Sequence, residues 1–140
     1  MRRLLILFSF LSLLIISGCS LYAASDQAGA DQLVGQYHKA FKAKQWDSLL
    51  SLYDPSFFKQ HSRDGWRDAL AALSDRYGVL KQVHQSYAQK DPRFRGDYYI
   101  YGYRLLFEKK TINETITVFK GIESDKLTIA GHVLKEGGSD

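Results

Sequence analysis

Beyond its first thirty residues the chain reads as an α+β domain, with N-terminal helices packed in a curved four-stranded antiparallel sheet. Three observations predict this. Apolar residues recur at helical spacing between Asp31 and Tyr77, and Gly78 then breaks the pattern. After it the period falls to two, in a stretch rich in tyrosine, isoleucine, threonine and valine. Helices grouped ahead of strands, rather than alternating with them, give the α+β order.

The front end follows a different pattern. Arg2 and Arg3 precede an uncharged apolar run from Leu4 to Ile16, the layout of a secretory signal over residues 1 to 18. The run is shorter than the roughly 18 apolar residues that a spanning helix needs. It ends in Ile16-Ser17-Gly18-Cys19, which resembles the lipobox of bacterial lipoproteins, where a cysteine after two small residues is lipidated and becomes the mature N-terminus. Cys19 is the only cysteine of the chain. An ordinary signal cut after Ser25 is the alternative, and it leaves this thiol without a role. The resemblance implies export, anchoring to a membrane through Cys19 and, with Ser20 in place of aspartate, the periplasmic face of the outer membrane in a two-membrane source. Residues 19 to 30 are small and polar without periodicity, as a flexible tether would be.

Removing residues 1 to 18 leaves 122 of the 140, the size of one domain, and lowers the formal charge from +4 to +2 by loss of Arg2 and Arg3. The remaining lysines and arginines are scattered singly or in pairs, a solvated surface rather than a nucleic-acid track. With Cys19 carrying lipid, no disulfide is available, so stability must come from packing. Aromatics at 14% of the chain can supply it, each buried ring removing roughly 150 to 250 Å² from water.

The elements follow in order. Leu33, Val34, Tyr37, Ala40 and Phe41 make the stripe of a first helix over residues 31 to 44. Trp46, Leu49, Leu50 and Tyr53 mark a short second helix, and Asp54-Pro55 supplies a cap and a first-turn proline for a brief turn holding Phe57 and Phe58. Trp66, Leu70, Leu73 and Tyr77 define a third helix over residues 63 to 77, which Gly78 is suited to end. Strands are expected at 79–88, 97–108, 111–120 and 126–135, with residues 89 to 96 as a polar loop marked by Pro92 and Gly96. Residues 136 to 140 read as a disordered tail. A tight hairpin at Lys109-Lys110 pairs Glu108 with Thr111, Tyr103 with Ile116 and Tyr101 with Val118, placing the apolar residues on one face together with Glu114.

The segments Phe41 to Leu52 and Trp66 to Leu80, with the aromatic strand Tyr98 to Phe107, are similar to the nuclear-transport-factor-2-like cone shared with SnoaL-type cyclases and ketosteroid isomerases; a cystatin-like sheet is the second choice. The likeness spans roughly residues 31 to 135. It implies a sheet wrapped around helices, and by analogy with the isomerases a carboxylate and a tyrosine inside the cone, for which Glu114 with Tyr101 or Tyr103 is the nearest set.

The residues by themselves offer less chemistry. No Gly-x-Ser-x-Gly motif, glycine-rich phosphate loop or free catalytic cysteine is present, so no catalytic set and no cofactor is expected. His38, His61, His84 and His132 lack the paired spacing of metal ligands and read as surface or hydrogen-bonded residues, so no metal is expected either. Tyr99, Tyr101 and Tyr103 alternate on one face, either as lining of a pocket or as core rings. Glu114 on that face must be hydrogen-bonded, paired or solvated in a cavity, and one register of the last hairpin offers Lys135 as an ion-pair partner. Tyr98, Ile100 and Leu106 project from the other face, a surface for a homodimer through the sheet. The functional expectation is a lipid-anchored envelope domain that binds a small apolar ligand or an envelope protein and no nucleic acid; a cyclase- or isomerase-like enzyme and a structural lipoprotein are the alternatives.

Overall fold

The computed structural model describes residues 18 to 137, with side chains from residue 26 onward. The segment expected to be a secretory signal lies outside the described residues up to Ser17. Among the described residues three helices, α1 (Gly18–Lys42), α2 (Trp46–Leu50) and α3 (Arg63–Tyr77), precede four strands, β1 (Leu80–Arg93), β2 (Gly96–Phe107), β3 (Thr111–Gly121) and β4 (Leu127–Glu136). The strands form one antiparallel meander in the order β1-β2-β3-β4. This is the cone-like α+β fold that the sequence predicts.

Local chemistry accounts for the boundaries. Ser62 Oγ accepts a hydrogen bond from the Gly65 amide at the start of α3, and Gly78 ends that helix with φ of 83°, a conformation that costs glycine little. Asp54 caps a single 3₁₀ turn, Pro55–Lys59, by accepting from the Ser56 amide. The core is made by Val34, Tyr37 and Phe41 of α1, Leu49 and Leu50 of α2, Leu70 of α3 and the inward residues of the sheet, among them Tyr99, Tyr101, Leu105, Ile116, Val118 and Ile129. Leu52 to Asp54 lie along the free edge of β4: Ile129 N donates to Leu52 O at 2.9 Å and Asp54 N to Ile129 O at 2.8 Å. That edge is thereby covered around Ile129.

Four boundaries differ from the expectation. Residues 19 to 30 are helical rather than a tether: Ala30 is fully buried and Asp26 pairs with Lys120 at 2.7 Å. Besides the polar contacts of Asp26 with Lys120 and Gln27 with Tyr101, this stretch packs through small residues, Ala30 in the core and Gly29 beside Leu127, so no stripe of large apolar residues announces it. Residues 89 to 93 continue β1, and only Phe94-Arg95 form the turn, since Arg93 pairs with Gly96. Pro92 is tolerated because β1 is an edge strand and its missing amide faces no partner. At the C-terminus, Glu136 belongs to β4 and Gly137 N donates to Thr111 O at 3.0 Å; the rest of the expected tail lies outside the described residues.

The fourth difference is the β2–β3 register, which is displaced by two residues. Tyr103 faces Glu114, Tyr101 faces Ile116 and Tyr99 faces Val118. The turn is wider, and Glu108 in it reaches the start of β1, its carboxylate accepting from Val79 N at 3.1 Å and pairing with Lys81 at 2.9 Å, while Phe107 N donates to Lys110 O. A shift of two keeps every side chain on its expected face, which a shift of one would not.

Candidate functional site

The inward face of the sheet brings the four expected pocket residues onto one surface, but α1 closes over it. Tyr99 and Tyr101 have no exposed surface and Glu114 has 2%, so these groups are core rather than the wall of an open cavity. The Tyr101 hydroxyl donates to Asp31 Oδ1 at 2.7 Å and accepts from Gln27 Nε2 at 2.8 Å; burial, followed by the Asp31 carboxylate, raises its pKa. The Tyr103 ring stacks edge-on against His38 at 4.7 Å. Burial pushes its hydroxyl up to about 12, with help from the Glu114 charge. The Tyr99 and Tyr37 hydroxyls are buried without a hydrogen-bond partner among the described residues.

Glu114 is the centre of the site, and its partners are not those expected. Lys135 faces Asn113, on the other side of the sheet, while Glu114 faces Leu134. The anticipated Glu114–Lys135 pair is therefore excluded by register. Instead Glu114 Oε2 meets His38 Nε2 at 2.6 Å and Oε1 meets His132 Nε2 at 2.9 Å. His132 Nδ1 lies 2.6 Å from the Tyr53 hydroxyl, which accepts from Trp66 Nε1 at 3.0 Å. The bonds run in one direction when Nε2 carries the His132 proton: Trp66 donates to Tyr53, Tyr53 to His132, and His132 and His38 to Glu114.

The electrostatics follow from this chain. Burial opposes the charge on Glu114, but the bonds from His132 and His38 outweigh it and hold the carboxyl at about 2. Tyr53 is raised by burial. A carboxylate with both oxygens engaged and so low a pKa is a weak base, and neither Tyr101 nor Tyr103 bonds to it. Each member comes from a different element: His38 from α1, Tyr53 from the strap along β4, Trp66 from α3, Glu114 from β3 and His132 from β4. Sequence reasoning placed Glu114 on the inward face but missed its partners. A usable signal was present for His38, which sits beside Tyr37 in the buried stripe of α1. His132 could be placed only by its pairing with Ile116, a core position.

The accessible apolar surface lies elsewhere. Ala69, Ala72, Leu73 and Tyr77 of α3 and Ile112 and Leu134 of the sheet line an open groove of about 270 Å³. Arg76, Lys135 and Glu136 form its charged rim. The Tyr77 hydroxyl donates to Glu136, fixing one side of the mouth. On the outer sheet face Tyr98, Ile100 and Leu106 are half-buried, and the Tyr87 ring crosses Gly102, where a Cβ would come within 2.0 Å of it.

No family model matches the chain, and no curated protein does. Among solved structures it is similar to that of Bd1075 from Bdellovibrio bacteriovorus, with a TM-score of 0.56 and 17% identity. The superposition covers 79% of this chain and 40% of that one, so this chain spans well under half the length of its structural neighbour. At that identity the likeness is one of fold, the helices and four-stranded antiparallel sheet described above.

Proposed function

We propose that this chain is a lipid-anchored, non-catalytic binding domain of the cell envelope that receives a small apolar ligand, or an apolar side chain of a protein partner, in the groove between α3 and the sheet. The observation that carries this reading is the contrast between the filled interior and the open groove: the inward tyrosines are sealed and Glu114 is paired, while the groove offers an alanine- and leucine-lined floor with charges at its rim. Its volume, about 270 Å³, lies just below the usual range of small-molecule sites and suits one apolar side chain or a short acyl segment. The outer sheet face is a weaker site for a second copy, because Tyr87 and its neighbours cover one another there. An isomerase-like reaction at Glu114 is disfavoured by its low pKa and its two histidine bonds.

Anchoring rests on the lipobox-like sequence ending at Cys19, and the serine after it supports the outer membrane as destination. Ala72→Trp should fill the groove from an exposed position on α3. It is expected to abolish the fluorescence enhancement of a naphthalene-sulfonate probe, and its displacement by short fatty acids, without lowering the melting temperature. Undiminished probe binding would move the site elsewhere, and probe binding lost with Glu114→Gln but kept with Ala72→Trp would favour the interior.

A further inference from the structure

The end of the cone at which α1 begins carries the two most exposed large apolar side chains of the described residues. Phe94, in the β1–β2 turn, is 96% exposed and Ile122, in the β3–β4 turn, is 77% exposed. The two turns are joined, since Ile122 N donates to Arg95 O at 3.2 Å. Asp26 of α1 pairs with Lys120 beside them and shares one depression with Arg93, Asp97 and Ile122. From there α1 runs along the sheet to Phe41, whose ring lies 6.0 Å from Phe107 at the far end. The helix backbone that precedes Asp26, with Cys19 seven residues upstream, therefore leaves the domain at the end that bears Phe94 and Ile122, with about 10 Å of helix rise between them.

Single exposed apolar residues are ordinary, but two at adjacent turn tips, on the side from which the anchor emerges, meet the surface to which that anchor ties the domain. The charges at this end nearly cancel. Arg93, Arg95, Lys120 and Lys126 stand among Asp26, Asp91, Asp97, Glu123 and Asp125, with Arg93 held by Asp91 at 2.6 Å, Lys120 by Asp26 and Lys90 by Asp97 at 2.7 Å. Attraction to anionic headgroups is thus weak, and insertion of apolar side chains is the main contribution.

We propose that Phe94 and Ile122 enter the interfacial layer of the bilayer and seat the domain, turn tips down, on the membrane that holds its lipid. An aromatic ring at headgroup depth suits that layer. This seating leaves the α3 groove, whose residues line the helix and the other ends of β3 and β4, free for its ligand. The inference rests on the lipid anchoring of Cys19, and the experiment separates the two.

Phe94→Cys and Lys109→Cys variants of the full chain, each labelled at its new thiol with an environment-sensitive fluorophore, are reconstituted in phosphatidylcholine vesicles, and the acyl groups on Cys19 are read by mass spectrometry. The label at position 94 should shift to the blue and be quenched several-fold more by shallow nitroxide lipids than the label at position 109, equally at low and high salt. Acylated protein whose label at 94 stays as solvent-exposed as the one at 109 overturns the seating and leaves the anchoring intact. Protein without acyl groups that does not bind the vesicles overturns both.

Discussion

Replacing Glu114 by glutamine keeps the volume of the side chain and removes the charge on which the interior network converges. The carboxylate accepts from two imidazoles, at 2.6 and 2.9 Å. An amide offers one oxygen and one NH₂, so one histidine must either change tautomer to accept from the NH₂ or be left facing another donor, and in both cases a bond to a charged acceptor is lost. An unsatisfied buried donor costs about 1 to 3 kcal/mol, and a hydrogen bond to a charged group contributes about 1.5 to 3. A separate figure comes from linkage. A carboxyl held at about 2 against an ordinary 4.5 corresponds to about 3 kcal/mol at neutral pH. Glu114→Gln should therefore destabilise the domain by about 3 kcal/mol or somewhat more, a large part of a typical total of about 5 to 15. In urea, with a slope of about 1 to 3 kcal/mol per molar, the midpoint should fall by about 1 to 3 M. The sign of the pH dependence is fixed, because the folded pKa lies below the unfolded one. The stability from Glu114 is fully present above about pH 5 and is lost as the pH falls toward 2, so the gap between wild type and Glu114→Gln should close over that window. A midpoint change worth less than about 1 kcal/mol at pH 7 would refute the reasoning, since an exposed ion pair contributes about 0.2 to 1.

Trp66→Phe should keep most of the packing against Tyr53, Phe57 and His132 and lose the bond to the Tyr53 hydroxyl, costing about 1 kcal/mol, whereas Trp66→Ala should cost about 3 to 5; equal melting temperatures for the two would place the value in the bond rather than in the ring. Cys19→Ala should remove the acyl groups and release the protein from the membrane fraction, and unchanged retention would refute lipid anchoring there. Gly102→Ala drives a methyl into the Tyr87 ring and should destabilise by about 1 kcal/mol or more; in a Tyr87→Ala background the same change should be nearly neutral, and additive effects in chemical denaturation would deny the contact.

Much of this architecture is written locally. The third helix is legible because the Trp66–Leu70–Leu73–Tyr77 stripe and Gly78 are body and stop within one stretch of chain; its cap, Ser62, was supplied by the structure. The strands are legible because alternation needs only the strand itself. The side on which Glu114 lies was likewise readable, and it survived a two-residue error in register because the pleat repeats every two residues. What the sequence alone does not determine is which residue of one element meets which of another. The β2–β3 register goes with a turn in which Glu108 meets Val79 and Lys81 at the start of β1, and pairing across β3 and β4 puts Lys135 on the far side from Glu114. The strap at Tyr53 and the packing of α1 bring hydrogen-bond partners from positions 38, 53, 66 and 132 to one buried carboxylate. Periodicity is a property of a segment, whereas a buried charge can be solvated only by groups that the whole fold delivers to it, so the partners of Glu114 were decided by tertiary structure alone.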